Sequence, residues 1–192
     1  MNRIQSMIVD LCPGGVEVKR LGDIVKILDN LRKPIAKDKR EAGNIPYYGA
    51  NGIVGYVKDF IFDGTYLLVG EDGSVINKDN SPVLNWAVGK IWVNNHAHVL
   101  AEIPELASLR YIYYYLQTAD VSEVVRGVPP KINQENLRGI KVPTPPIPIQ
   151  REIVRILDNF TELEAELEAE LEARRKQYQH YLNQLMTFKE II

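Results

Sequence analysis

Cysteine is nearly missing from this 192-residue chain: Cys12 stands alone. An internal disulfide and a zinc site made of cysteines are therefore excluded. Long apolar runs are missing too, since none approaches the ~18–20 residues that a membrane span needs. Met1 to Leu11 lacks the charged-then-apolar order and the small-residue cleavage site of a signal peptide. These absences point to the cytoplasm. An excess of positive charge is also lacking, with a formal net charge of −2. Phosphate contacts usually dominate nucleic-acid affinity. A DNA-binding role would then require a local basic face, or a partner that supplies most phosphate contacts. Residues 1–148 carry 17 Lys/Arg against 16 Asp/Glu, and residues 149–192 carry 6 against 9.

Catalytic signatures are scarce. Val88-Gly-Lys90 is followed by Ile91 and lacks the upstream glycine of a P-loop. Gly49, Gly52 and Gly55 are spaced by threes, which is not the dinucleotide fingerprint. No Asn-Pro-Pro-Tyr-type tetrapeptide marks an adenine methyltransferase centre. Glu17-Val-Lys19 has the Glu-x-Lys half of a nuclease site without a suitable aspartate before it. His96 and His98 would share a face if they lay on one strand, with Glu102 the near candidate for a third metal ligand. Structural or DNA-facing histidines are the preferred reading. Glu71-Asp72-Gly73-Ser74 has the look of an acidic metal loop, but its flanks, Tyr66–Gly70 and Val75–Ile76, favour a hairpin turn. No catalytic residue, metal or cofactor is assigned.

What is present changes in character near residue 142. Before it, short Val/Ile/Tyr/Leu runs alternate with Gly, Asn, Asp and Pro, the pattern of short strands between turns. Gly52–Val57, Tyr66–Val69, Val83–Trp86 and Lys90–Val93 are such runs. Helical spacing appears near Gly22–Leu28 and Leu106–Thr118, where Leu109, Ile112, Tyr113 and Leu116 share a face. The expected fold class is α+β: a Gly-rich mixed β domain with a few helices, over residues 1–141. Val142-Pro-Thr-Pro-Pro-Ile-Pro148 follows as an extended connector, because proline restricts itself and the residue before it. Pro148 suits a helix start. Residues 149–192 form the third segment, free of Pro and Gly from Ile149 to about Lys189 and rich in helix formers.

That helix carries a seam. Ile149, Ile153, Ile156, Phe160, Leu163 and Leu167 recur at threes and fours, and Leu171, Tyr178, Tyr181, Leu185 and Phe188 continue the stripe. Leu163, Leu167 and Leu171 stand two fours apart in succession, which locally unwinds a supercoil. Arg174 falls on the seam. One apolar stripe on so long a helix calls for a partner helix, so an antiparallel coiled coil is expected. The single-chain alternative is that the helix folds back over its own domain, which could cover only its near half.

Three stretches resemble the specificity subunit of type I restriction–modification systems. They are Ile45-Pro-Tyr-Tyr-Gly-Ala-Asn-Gly52, Tyr66-Leu-Leu-Val-Gly-Glu-Asp-Gly-Ser74 and Ile140-Lys-Val-Pro-Thr-Pro-Pro-Ile-Pro-Ile-Gln-Arg-Glu-Ile153. The helix Ile156–Leu167 is similar too. The Pro-rich entry with its Gln-Arg-Glu-Ile-Val start is the most specific part. The resemblance implies a non-catalytic subunit with two target-recognition domains and two antiparallel helices. Each domain reads half of a split target. The helices set the gap and dock methyltransferase subunits, through which restriction subunits join. One domain and one helix are present here, implying either a half-subunit that dimerises or a truncated product. The lone seam favours a homodimer on a target with inverted-repeat halves.

Base reading needs donors and acceptors at groove edges, and phosphate contact needs cations or amides. The candidates are Tyr47, Tyr48 and Asn51 at the first Gly-rich turn, and Gly73 and Ser74 at the second. Lys90, Trp92, Asn94, Asn95 and His96 follow along an amide-rich strand end, then Arg126, Lys131 and Asn133 around Gly127-Val-Pro-Pro130. Tyr47, Tyr48 and Trp92 have core alternatives, and Gly73, Ser74, Asn94 and Asn95 have plain turn alternatives. Arg126 and Lys131 stand out as phosphate contacts. The seam residues Ile153, Ile156, Phe160, Leu163, Leu167, Leu171, Tyr178, Tyr181 and Leu185 are the dimer or partner surface. The competing functions are a coiled-coil interaction scaffold that binds no DNA, and an enzyme using His96 and His98.

Overall fold

A computed structural model describes residues 3–188 of the chain. Helix α1 (Arg3–Leu11) leads into strand β1 (Val18–Arg20), the four-residue α2 (Leu21–Ile24) and β2 (Val25–Ile27). Strands β3 (Ile45–Gly49), β4 (Gly52–Val57), β5 (Phe62–Gly70), β6 (Leu84–Val93) and β7 (Ala97–Glu102) follow. Then come α3 (Leu109–Leu116), α4 (Gln134–Gly139), β8 (Lys141–Pro143) and α5 (Ile147–Met186). The class is α+β, as the sequence pattern predicts.

Six strands form one sheet in the order β2-β7-β5-β6-β3-β4. It is mixed: β3 runs parallel to β6, and the other pairs are antiparallel. β5 lies in the middle, so Leu67, Leu68 and Val69 are buried on both faces as a continuous apolar run. Each such side chain contributes roughly 1.5–3 kcal/mol on burial. Leu68 joins Tyr48, Phe62, Ala87, Ile91, Val93, Ala97 and Val99 in one core cluster. Helix α3 packs on β5 and β7, burying Leu109, Ile112 and Leu116 from the predicted face.

Several local expectations are corrected. Gly22–Leu28 is not one helix: β-branched Val25 and Ile27 pair with β7, opposite Glu102 and Leu100, which stops α2 after one turn. Leu84–Trp86 and Lys90–Val93 are parts of a single strand, β6, and Val83 precedes it. Gly89, at φ 81, is absorbed opposite Gly64, at φ 152, so the break that glycine suggested does not occur. The tight hairpin at Glu71–Ser74 is absent as well. β5 pairs with β6 and β7 instead, and residues 71–83 form a longer loop in which Val83 N–H donates to Val75 O at 2.9 Å. The β3–β4 hairpin does turn at Ala50–Asn51, with Gly52 at φ 108.

The proline-rich segment is extended only as far as Pro146, since Ile147 and Pro148 already belong to α5, and its first residues belong to the fold. β8 pairs antiparallel with β1, and Val142 is fully buried. Chain contacts divide the molecule into two units at Ile153/Val154, so the start of α5 is part of the first. α5 is 40 residues of unbroken helix, about 60 Å long at 1.5 Å per residue. Its first turns are anchored by Gln150. That buried amide accepts from Ser108 N–H at 2.9 Å and donates to Pro145 O at 2.8 Å. The Lys189 end assigned to this helix lies outside the described residues.

Candidate nucleic-acid interface

The chemistry nearest the surface loops starts from a buried polar cluster. His98 is fully buried on β7. Its Nδ1 lies 2.6 Å from Asp29 Oδ2 and its Nε2 lies 2.8 Å from Ile132 O. Both ring nitrogens therefore face oxygen acceptors. Asp29 also accepts from Val99 N–H at 3.0 Å and from the Gln134 amide at 2.9 Å. Arg32 donates to Glu71 Oε2 at 2.6 Å and to Ala97 O at 2.8 Å. Lys131 Nζ sits 3.0 Å from the other Glu71 oxygen.

These contacts set the charge states. Burial pushes the Asp29 carboxyl up, but bonds from His98, Gln134 and Val99, with the charge on His98, hold it below its ordinary 3.8. Burial likewise raises Glu71, and Arg32, Lys131 and His98 together bring it below 4.5. Asp29, Glu71 and His98 place ligand atoms within 4.8 Å of one another, a spacing a metal ion could use. Arg32 and Lys131 already supply positive charge to those carboxylates. The His96/His98 pairing does not form. His96 precedes β7, is exposed, and pairs with Asp72 at 2.6 Å, while His98 points into the cluster. Glu102 instead accepts from Leu109 N–H at 2.7 Å and caps α3.

Three surface loops are fastened to this cluster. Glu71 N–H donates to His96 O at 2.8 Å, and Ile132 N–H donates to Glu71 O at 2.9 Å. Gly73 N–H donates to Pro130 O at 3.0 Å. Arg126 and Lys131 exchange two backbone hydrogen bonds of 2.8 Å, closing a loop with Gly127 at φ 84. A groove results, lined by Asp72, Arg126, Gly127, Val128, Pro129, Lys131 and Asn133. Gly73, Ser74, Asn95, His96, Arg126 and Lys131 are all exposed around it. Asn133 is exposed, but its side chain caps α4 by accepting from Asn136 N–H at 2.7 Å.

Other candidates fall elsewhere. Tyr47 and Tyr48 are buried, and the Tyr47 hydroxyl accepts from Ile35 N–H at 3.0 Å. Their side chains serve the core, the alternative that the sequence left open for both. Asn94 is buried too, accepting from His96 N–H at 2.8 Å to shape the turn. Trp92 is half-buried and donates from its ring to Lys33 O at 2.6 Å. Lys90 is exposed over the Phe60 ring, and Asn51 is exposed at the β3–β4 turn. Sequence reasoning missed Asp29 and Arg32 and weighed Glu71 only within an acidic loop, because the partners His98 and Glu71 lie 69 and 39 positions away.

Residues 13–173 match the model of a family described as the Type I restriction modification DNA specificity domain. The chain belongs to this family. A Haemophilus influenzae protein named as a type I restriction enzyme specificity subunit is 40% identical over 185 residues, covering 92% of this chain and 47% of that protein. The EcoR124I/EcoR124II specificity subunit of Escherichia coli is 33% identical over 197 residues, covering 92% and 46%. This specificity-domain chain thus spans about half the length of the curated relatives it matches. The crystal structure of a type I S subunit from M. genitalium shares its fold at TM-score 0.64 and 17% identity, covering 99% of this chain and 49% of that one. The HsdS subunit from Thermoanaerobacter tengcongensis aligns at TM-score 0.56 and 18% identity, covering 86% and 44%. Among the described residues, no helix of the specificity-domain chain is long and apolar enough to cross a membrane.

Proposed function

We propose that the chain is a non-catalytic DNA-recognition subunit of a type I restriction–modification complex. Its α+β unit reads one half of a bipartite duplex target. Two copies pair through α5 as an antiparallel coiled coil, and the paired helices set the gap between halves. Methyltransferase subunits dock on the assembly, and restriction subunits join through them. The observation that carries this reading is the convergence of exposed cations, amides and an imidazole on loops fixed from beneath by the Asp29–His98–Arg32–Glu71 cluster. Rigid support is what a base-reading surface needs. Membership of the specificity family supports it, as does the printed description of its relatives.

Within this reading, Arg126 and Lys131 contact phosphates, while Asn95 and His96, with Gly73 and Ser74 at their side, face base edges. The test is DNA binding by the chain in complex with its methyltransferase subunit. Replacing Arg126 and Lys131 by alanine weakens binding on all sequences and flattens the salt dependence. Replacing Asn95 shifts base preference instead. Assembly into the complex with no sequence-selective DNA binding would favour the scaffold alternative.

A further inference from the structure

The chain's net charge of −2 leaves a question that the Arg126–Lys131 loop alone does not answer, because Lys131 is already paired with Glu71. The densest cationic segment lies elsewhere. Residues 32–40, Arg-Lys-Pro-Ile-Ala-Lys-Asp-Lys-Arg, hold five basic side chains and one acidic one. Like charges packed so closely repel one another, so this segment is held in place by other forces. Lys33 N–H donates to Val93 O at 3.3 Å, and Lys33 O accepts from the Trp92 ring at 2.6 Å. Ile35 N–H donates to the buried Tyr47 hydroxyl at 3.0 Å. Arg40 donates from Nε to Ile35 O at 3.1 Å, and its guanidinium lies over the Tyr47 ring at 4.2 Å.

The result is a short strap tied down at both ends, with Lys33, Lys37 and Lys39 exposed. Among the described residues, none of these three ammonium groups has an ion-pair partner. The nearby acid Glu41 is engaged by Lys58 at 2.8 Å. The strap begins at Arg32, which grips the Glu71 oxygen opposite the one held by Lys131. Arg32 also reaches Asn95 O at 3.4 Å. The strap, the Asn95–His96 turn and the Arg126–Lys131 loop therefore share one anchor.

We propose that Lys33, Lys37 and Lys39 form a second phosphate-contact site, which grips the backbone of duplex DNA beside the base-reading loops. The proposal rests on the DNA-recognition reading above and extends it to residues that the Gly-rich motifs do not include. Trp92 and Tyr47 then act as positioning residues: their side chains are half-buried or buried, and they hold the strap rather than touch DNA. Fixed lysines favour phosphate because binding releases the counterions condensed on it.

The test compares two triple variants of the full chain in its methyltransferase complex. One is Lys33→Gln, Lys37→Gln and Lys39→Gln. The other removes equal charge away from the strap, at Lys26→Gln, Lys78→Gln and Lys141→Gln. Affinity for a specific duplex is measured across a salt series, with thermal melting as the check on folding. The strap variant loses about 0.9 in the slope of log affinity against log salt for each contact removed, and roughly 10- to 100-fold in affinity at about 0.15 M salt. It keeps the same preferred sequence and melting temperature, and the control keeps the full slope. An unchanged slope in the strap variant, or an equal drop in both, overturns the proposal. Loss of complex assembly at unchanged slope overturns it too, and makes the strap a protein contact. If the unmodified complex shows no selective DNA binding, the recognition reading itself has failed, an outcome distinct from the others.

Discussion

Asp29 is the most heavily bonded residue of the buried cluster beneath the proposed recognition loops. Its carboxylate takes bonds from His98, Val99 and Gln134 and sits 3.6 Å from Arg32. Asp29→Asn removes one of the two carboxylates of a buried, hydrogen-bonded cluster and leaves Glu71 alone beside Arg32 and His98, at a cost of about 3 kcal/mol, read as a lower urea midpoint. The pH dependence has a definite sign. Asp29 and Glu71 both have carboxyls held below their ordinary values of 3.8 and 4.5. Their contribution is present above those values and is lost as pH falls through the lower folded ones. Urea midpoints taken between about pH 6 and about pH 3 drop steeply in the unmodified chain and less so in Asp29→Asn. An equal drop in both would remove Asp29 from the acid-sensitive set. This cluster was illegible in the sequence because Asp29 and His98 are 69 positions apart. The Arg126–Lys131 loop was legible because Gly and Pro beside two cations make poor core. The base-reading candidates divide the same way: Asn95 and His96 are exposed, whereas neighbouring Asn94 turns inward to shape their backbone.

At the scale of elements, the predicted strand Gly52–Val57 and the long helix were plain in the sequence, since glycine punctuation and the absence of Pro and Gly are local signals. The start of β2 was not, because a run such as Val25–Ile27 becomes a strand only where β7 offers it a ladder. Two predictions belong here. Gln150→Ala strands the Ser108 N–H and the Pro145 carbonyl at the root of α5. It costs about 1–3 kcal/mol, visible as a lower melting temperature, and an unchanged melt would deny Gln150 its anchoring role. Gly43 passes against the backbone of Val57 and Lys58, so that a Cβ there would overlap backbone atoms that cannot swing aside. Gly43→Ala therefore destabilises the β3–β4 side of the sheet, read as loss of amide-exchange protection at β4. On α5, Phe160, Leu163, Leu167 and Leu171 are exposed along the predicted seam. Under the proposed pairing, Leu163→Glu with Leu167→Glu abolishes self-association in sedimentation at micromolar concentration. The melting of the α+β unit shifts little, since exposed substitutions usually stay within about 0.5 kcal/mol.

For the whole molecule, the net charge of −2 and a DNA-binding role are compatible because charge is arranged rather than summed. Acidic residues concentrate on α5, where eight Asp/Glu stand against five Lys/Arg, and cations concentrate at the strap and the Arg126–Lys131 loop. The proposed homodimer would present two identical surfaces related by a twofold axis. The most direct test is selection from a random duplex pool by the assembled chain–methyltransferase complex, followed by sequencing of the bound DNA. The account predicts enrichment of two inverted half-sites separated by a gap of one fixed length. A bound pool no different from the input, or a single uninterrupted site with no second half, would contradict it.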